Sequence, residues 1–141
     1  MRTIKFRGKD VETGGWVDGD LIQRMGYMPS IMFPYKSNGK VRYGECAVKR
    51  ETVGQYTGIR DCCGKDIYEG DILVPNGKDD GNEPIVVVWD KGSFVAEYGN
   101  RYVAGARVRS TFFAAFPQMF RVAGNIHDNP ELLSVDSNEQ K

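Results

Sequence analysis

Polar and apolar residues alternate at the start of the chain. Ile4 and Phe6 stand between Thr3, Lys5 and Arg7, the two-residue period of a half-buried strand. Thr13-Gly14-Gly15 predicts a turn and Trp16-Val17 a second strand, together an amino-terminal hairpin. Asp18-Gly19-Asp20 reads as a break before Leu21-Ile22 resumes the strand. Between 25 and 50 the apolar residues Met25, Met28, Ile31, Met32 and Phe33 are interrupted by Gly26, Pro29 and Pro34. Those prolines argue against a continuous helix, and the segment reads as irregular with a short strand. Ser37-Asn38-Gly39 is a turn signal, because Asn and Gly tolerate positive φ. Val41, Tyr43 and Cys46 to Val48 flank it as strand candidates.

The second half is more strongly patterned. Val53 to Tyr56 is a short strand, and Asp61-Cys62-Cys63-Gly64 fits a type I turn with Asp first and Gly fourth. Glu69-Gly70-Asp71 is a tight turn feeding Ile72-Leu73-Val74, which Pro75-Asn76-Gly77 ends. Lys78 to Pro84 is a polar loop expected to be mobile. Ile85 to Trp89 is an unbroken apolar run, which predicts a strand buried on both faces. Asp90-Lys91-Gly92 turns it into Ser93 to Tyr98, and Gly99-Asn100 turns again. Val108, Phe112 and Phe116 recur at intervals of four, predicting a short helix near 106–116 that Pro117 would stop. Met119 to Ala123 returns to strand character, and Asn129-Pro130-Glu131 reads as the start of a single helical turn.

The predicted fold is mainly β, with α+β as the variant: a small, strongly bent antiparallel sheet or partly open barrel with that short helical segment. It occupies one domain over 1–133, followed by a disordered tail at 134–141. The expected core is Ile4, Phe6, Trp16, Val53, Ile67, Ile72, Val86, Val88, Phe94 and Val122. A hydrophobic fraction of 40% over 141 residues supports a packed core of this size.

Charge and cysteine content narrow the function classes. Lys+Arg and Asp+Glu both total 19, so no net field draws the chain to a polyanion, and no self-repulsion opposes association. Three cysteines are too few for a disulfide framework, which predicts reduced thiols and a cytoplasmic protein. No apolar run approaches the length of a membrane helix, so no membrane partner is expected.

Three segments resemble the YopX family, small proteins carried by phages and prophages. They are Ile4 to Arg7 with Trp16 and Leu21; the block from Thr52-Val-Gly-Gln-Tyr-Thr-Gly58 through Asp61 and Gly64 to Ile67-Tyr-Glu-Gly-Asp-Ile72; and Val122-Ala-Gly-Asn-Ile126 with Asp128-Asn-Pro-Glu-Leu-Leu133. The resemblance implies a cytoplasmic, mostly β protein of mobile-element origin that assembles as a homo-oligomer. It carries over no catalytic residue. Cys62-Cys63 stands where charged or polar residues are usual in the family's turn.

The chemistry candidates each meet a plainer account. Cys46, Cys62, Cys63 and the single histidine, His127, are the candidate metal ligands. Adjacent side chains such as Cys62 and Cys63 are expected to diverge, so the thiols read as free and no metal or cofactor is assigned. His127 beside Asp128 could act as a base, but no serine or cysteine nucleophile motif accompanies it. The acids Asp61, Asp66, Glu69 and Asp71 could hold a cation or run hydrolysis, yet Asp61 and Asp71 stand where turns require short polar side chains. Asp71 is further expected to accept backbone amides across its turn.

Basic and aromatic residues gather at Lys36, Lys40, Arg42, Lys49 and Arg50 with Tyr35 and Tyr43. A second group joins Arg101, Arg107, Arg109 and Arg121 with Tyr102. This is the mixture that holds single-stranded nucleic acid, although charge neutrality favours a solvated face. The expectation is therefore an accessory protein with no catalytic residues. It would act through contacts with itself and with a host or phage protein. A nucleic-acid module built on Arg101, Arg107, Arg109 and Arg121, and a hydrolase using His127, are the alternatives.

Overall fold

In a computed structural model, the chain is described over residues 1–76, 84–103, 106–111 and 119–133, with backbone alone for 100–103, 106–108 and 111. The described chain is mainly β, as the alternation predicts, and its strands lie in two antiparallel sheets. Two compact units divide the chain, Met1–Tyr56 and Thr57–Lys141.

In the first unit, β1 (Phe6–Lys9) and β2 (Trp16–Ile22) form the predicted hairpin, with Phe6 opposite Gly19 and Lys9 opposite Trp16. Its loop is tied by Asp10, whose carboxylate accepts the Glu12 amide at 2.8 Å. Ile4 precedes the first strand and is exposed, so it does not join the core as expected. Asp18-Gly19-Asp20 does not break β2. The strand runs through Gly19 because a Cβ there would sit 2.1 Å from the Met32 carbonyl oxygen. Glycine is the residue that lets β2 and its neighbour approach this closely.

Residues 25–50 are more regular than the sequence suggests. β3 (Ser30–Ser37) and β4 (Lys40–Ala47) are strands of eight residues paired along their whole length. Asn38 and Gly39, at φ 51° and 74°, make the two-residue turn between them. Pro34 is accommodated because β2 pairs with β3 only at Ser30 to Met32, leaving the proline where β3 has one neighbour. Ile31 and Val48 are fully buried. Gly8 makes room for Val48, since a Cβ on Gly8 would lie 2.8 Å from the valine Cβ. The Thr52 hydroxyl closes the unit by accepting the Lys9 amide and donating to the Lys49 carbonyl. The first residues of β5 (Gly54–Arg60) lie beside β1, with Gln55 opposite Phe6.

The second unit holds the remainder of β5, β6 (Asp66–Tyr68) and a five-stranded sheet. That sheet comprises β7 (Asp71–Pro75), β8 (Ile85–Asp90), β9 (Ser93–Val103), β10 (Ala106–Thr111) and β11 (Phe120–Asn125). Its strand order is β10-β9-β8-β7-β11, so β8 and β9, the hairpin expected from Ile85 to Tyr98, lie inside the sheet. Lys91 and Gly92, at φ 51° and 87°, turn β8 into β9 as expected. Gly99 does not turn the chain. It stays within β9 and donates its amide to the Pro84 carbonyl at 2.9 Å.

The helical expectation near 106–116 is corrected over its first half. Residues 106–111 form β10, whose pairing with β9 overrides the four-residue spacing, and 112–116 lie outside the described residues. Of the loop expected at Lys78 to Pro84, all but Pro84 lies outside them, as does the tail expected at 134–141. Ile67, Leu73, Ile85, Val87 and Ala96 form the buried core, with Phe94, Tyr98, Phe120 and Val122 packed against it. Burial on both faces holds for Ile85, Val86 and Val87, whereas Trp89 is exposed and leans edge-on against Phe94 across the hairpin at 4.9 Å. A single 3-10 turn, Pro130–Leu133, follows Asn129 as the capping signal suggested.

Candidate functional site

The glycine- and acid-rich block resolves into backbone ligation. Asp61 is buried, and its carboxylate accepts three amides. Oδ1 takes those of Cys63 and Lys65 at 2.8 and 2.9 Å, and Oδ2 takes that of Val122 at 2.8 Å. The Asp61 carbonyl also receives the Gly64 amide, the bond that closes the predicted type I turn. Burial pushes the Asp61 carboxyl up, but the amides of Val122, Lys65 and Cys63 outweigh it and hold the group below the ordinary carboxylate value.

Asp71 is 1% exposed and accepts the Tyr68 amide at 2.8 Å across the Glu69-Gly70 turn. Gly70, at φ 91°, donates to the Val87 carbonyl and accepts from the Ile126 amide. Of the four candidate acids, these two aspartates are turned inward onto main chain, and Asp66 accepts the Arg60 guanidinium at 3.1 Å.

His127 lies near Gly70, where a Cβ would meet its Nε2 at 3.7 Å. Its amide and that of Asp128 donate to Asn125 Oδ1 at 2.9 Å, and Asn125 Nδ2 reaches the Asp128 carboxylate at 3.2 Å. Asn129 turns back rather than forward, accepting the Asn125 amide. A Cβ on Gly124 would fall within 2.3 Å of that Asn129 oxygen. The histidine therefore sits in a loop shaped by Asn125, with a carboxylate neighbour that itself serves asparagine.

The cysteines differ from expectation. The Cys62 and Cys63 sulfurs lie 3.7 Å apart instead of diverging. The turn is the reason: Cys62 N–H is held by the Phe120 carbonyl and Cys63 N–H by Asp61. Successive side chains then no longer alternate across a strand but point out on the same side. Burial pushes the Cys62 thiol up, and its Cys63 neighbour adds to the shift. Cys46 is elsewhere, half-buried in β4, its thiol also raised by burial. Among the described residues no three His, Cys, Asp or Glu side chains gather as a metal cluster.

Of the nucleic-acid candidates, Arg109 is engaged. It meets Asp90 at 3.0 Å and Glu97 at 2.7 Å, which raises its pKa through hydrogen bonds to Glu97 and Asp90. Arg121 is exposed on β11 opposite Val74. Arg107 pairs through its backbone with Tyr102 in β9, next to Arg101, and the side chains of these three lie outside the described residues.

On the first unit, sequence reasoning singled out the basic and aromatic group from Tyr35 to Arg50 but not the depression beside it. An open depression of about 620 Å³ is lined by Gln23 to Pro29 and Arg50. Met25, Tyr27 and Met28 on its rim are exposed, and the Arg50 guanidinium donates to the Tyr27 carbonyl. Arg24 forks onto Glu45 at 2.7 and 3.2 Å. Beyond it the β3–β4 hairpin exposes Tyr35 on one face and Val41 and Tyr43 on the other. Beside it β4 is the last strand of its sheet. Met25-Gly-Tyr-Met28 was the available signal for the depression, masked by an expectation of irregular structure. Among the described residues no helix is long and apolar enough to cross a membrane.

A family model described as YopX protein matches residues 5–134. Among solved structures, the crystal structure of protein EF1440 from Enterococcus faecalis superposes with a TM-score of 0.60. It is 22% identical, and the match covers 94% of this chain and 99% of that one. That likeness is one of fold. No curated protein matches the chain.

Proposed function

This chain belongs to the YopX protein family, and from that footing we propose a non-catalytic accessory protein of phage or prophage that works through protein contacts. A second copy of the chain is the first partner. The observation that carries the reading is β4, an eight-residue edge strand whose outer half exposes Val41 and Tyr43. An open edge of this length is a template for another strand. Tyr27, Tyr35, Tyr43, Met25 and Met28 are exposed in this unit, and Tyr and Met are types enriched where proteins meet. A two-fold axis at Tyr43 pairs that tyrosine with its own copy, Val41 with Glu45 and Arg42 with Gly44. Opposed positions then never carry like charges. Zero net charge leaves no long-range repulsion between copies. The inward-facing Asp61 and Asp71 support a non-catalytic reading.

Light scattering on the purified chain tests this. The expected result is a dimer that Tyr43→Glu and Val41→Pro each convert to monomer with β circular dichroism retained. A wild-type monomer at high concentration, or a dimer indifferent to both changes, refutes it. Affinity capture from infected cells then identifies the host or phage partner.

A further inference from the structure

The adjacent thiols form a feature that protein contacts leave unused. Cys62 and Cys63 bring their sulfurs to 3.7 Å at the outer side of a turn, with Cys63 exposed and Cys62 half-buried. The turn is fixed from behind by four hydrogen bonds: Cys62 N–H to Phe120 O, Cys63 N–H and Lys65 N–H to Asp61 Oδ1, and Gly64 N–H to Asp61 O. The pair is thus presented as a preformed fork. A direct sulfur–sulfur bond suits it poorly, because the Cys62–Cys63 peptide is trans and Cα atoms across a trans peptide lie ~3.8 Å apart, below the usual ~4.4–6.8 Å of a disulfide. A single atom inserted between the sulfurs removes that constraint. Among the described residues no third ligand completes a metal cluster with the two thiols, and two ligands do not satisfy zinc, which takes four. They do satisfy a soft, thiophilic centre that needs only two sulfurs from the protein.

We propose that Cys62 and Cys63 are a chelating dithiol site for soft thiophilic centres, of which trivalent arsenic carrying one organic group is the type. With phenylarsine oxide the step is a condensation. Each thiol gives its proton to the oxide oxygen, two As–S bonds form as the As–O bonds break, and one water leaves. Arsenic stays trivalent, so no oxidant or reductant takes part.

Titration of the reduced full-length chain with phenylarsine oxide, followed by intact mass and by alkylation of the Cys62-Cys63 peptide, tests the site. The expected result is one equivalent bound, a mass increase equal to the reagent less one water, and both thiols protected. Dimercaptopropanol strips the adduct and excess mercaptoethanol does not. Cys62→Ser and Cys63→Ser each weaken binding by about a hundredfold or more, the advantage of making the second attachment intramolecularly, whereas Cys46→Ser leaves it unchanged. Unaltered thermal melts of the serine variants show that the turn survives. Binding that persists in Cys62→Ser or Cys63→Ser, or that disappears in Cys46→Ser, overturns the assignment.

Discussion

Asp61 Oδ2 accepts the Val122 amide at 2.8 Å across 61 residues of sequence. The same carboxylate holds its own turn through Cys63 and Lys65, so one side chain fixes a local bend and a distant strand together. Asp61→Ala leaves three amides without their acceptor and is expected to cost about 3 kcal/mol, since hydrogen bonds to charged groups are worth more than neutral ones. Asp61→Asn keeps one acceptor oxygen and costs less. Urea unfolding with an unchanged m-value checks both.

The same group sets an acid limit. Its folded pKa is depressed, so its stabilisation is complete above the unfolded value and is lost as pH falls through the folded one. Wild-type stability therefore declines in acid more steeply than that of Asp61→Asn, which has no carboxylate to protonate. Parallel slopes below pH ~5 would contradict this account.

Gly19→Ala is expected to disrupt the pairing of β2 with β3. The new methyl would overlap the Met32 carbonyl oxygen, and backbone cannot yield as a side chain does. A loss of about 3 kcal/mol is the expected scale of such overpacking. Hydrogen exchange locates it: amides from Asp20 to Ile22 and Ser30 to Met32, the paired segments, lose protection first.

Trp89 and Phe94 face each other edge-on at 4.9 Å. A double-mutant cycle to leucine should give a coupling of about 1 kcal/mol. Phe94→Leu alone should alter the tryptophan emission, since the indole is otherwise largely exposed.

Arg109 is held by Asp90 and Glu97. Arg109→Ala is therefore expected to leave electrophoretic mobility of single-stranded DNA or RNA mixed with the chain unchanged at low salt. A shift that weakens steeply with salt and with this substitution would restore the nucleic-acid alternative.

How much the sequence disclosed depended on whether the decisive contacts were local. The turns at Asn38-Gly39, Asp61 to Gly64 and Lys91-Gly92 follow from residue chemistry at fixed offsets and were legible, as was the Asp71 amide bond. Gly19 read as a break because the Met32 carbonyl it makes room for is remote in sequence, and the strand at 106–111 was hidden because pairing with β9 outweighs the spacing of Val108. The core was found in part: Ile67, Ile72 and Val86 are buried as expected, but Ile31 and Val48 depend on Gly8 and on strand partners that periodicity does not reveal. The convergence of the two sulfurs was not legible, because adjacency alone suggests divergence and the amide bonds that shape the turn come from Phe120 and Asp61.

Strand β11 docks on β7, the first strand of its sheet, and is the last of the described strands in chain order. On the ribosome, β7 and β8 emerge early, with one flank of β7 bare until Phe120–Asn125 has been synthesised. During that interval Leu73 and its neighbours offer unpaired amides and carbonyls to any passing strand. Truncation ahead of Phe120 would make that interval permanent and yield aggregate in place of a shortened fold.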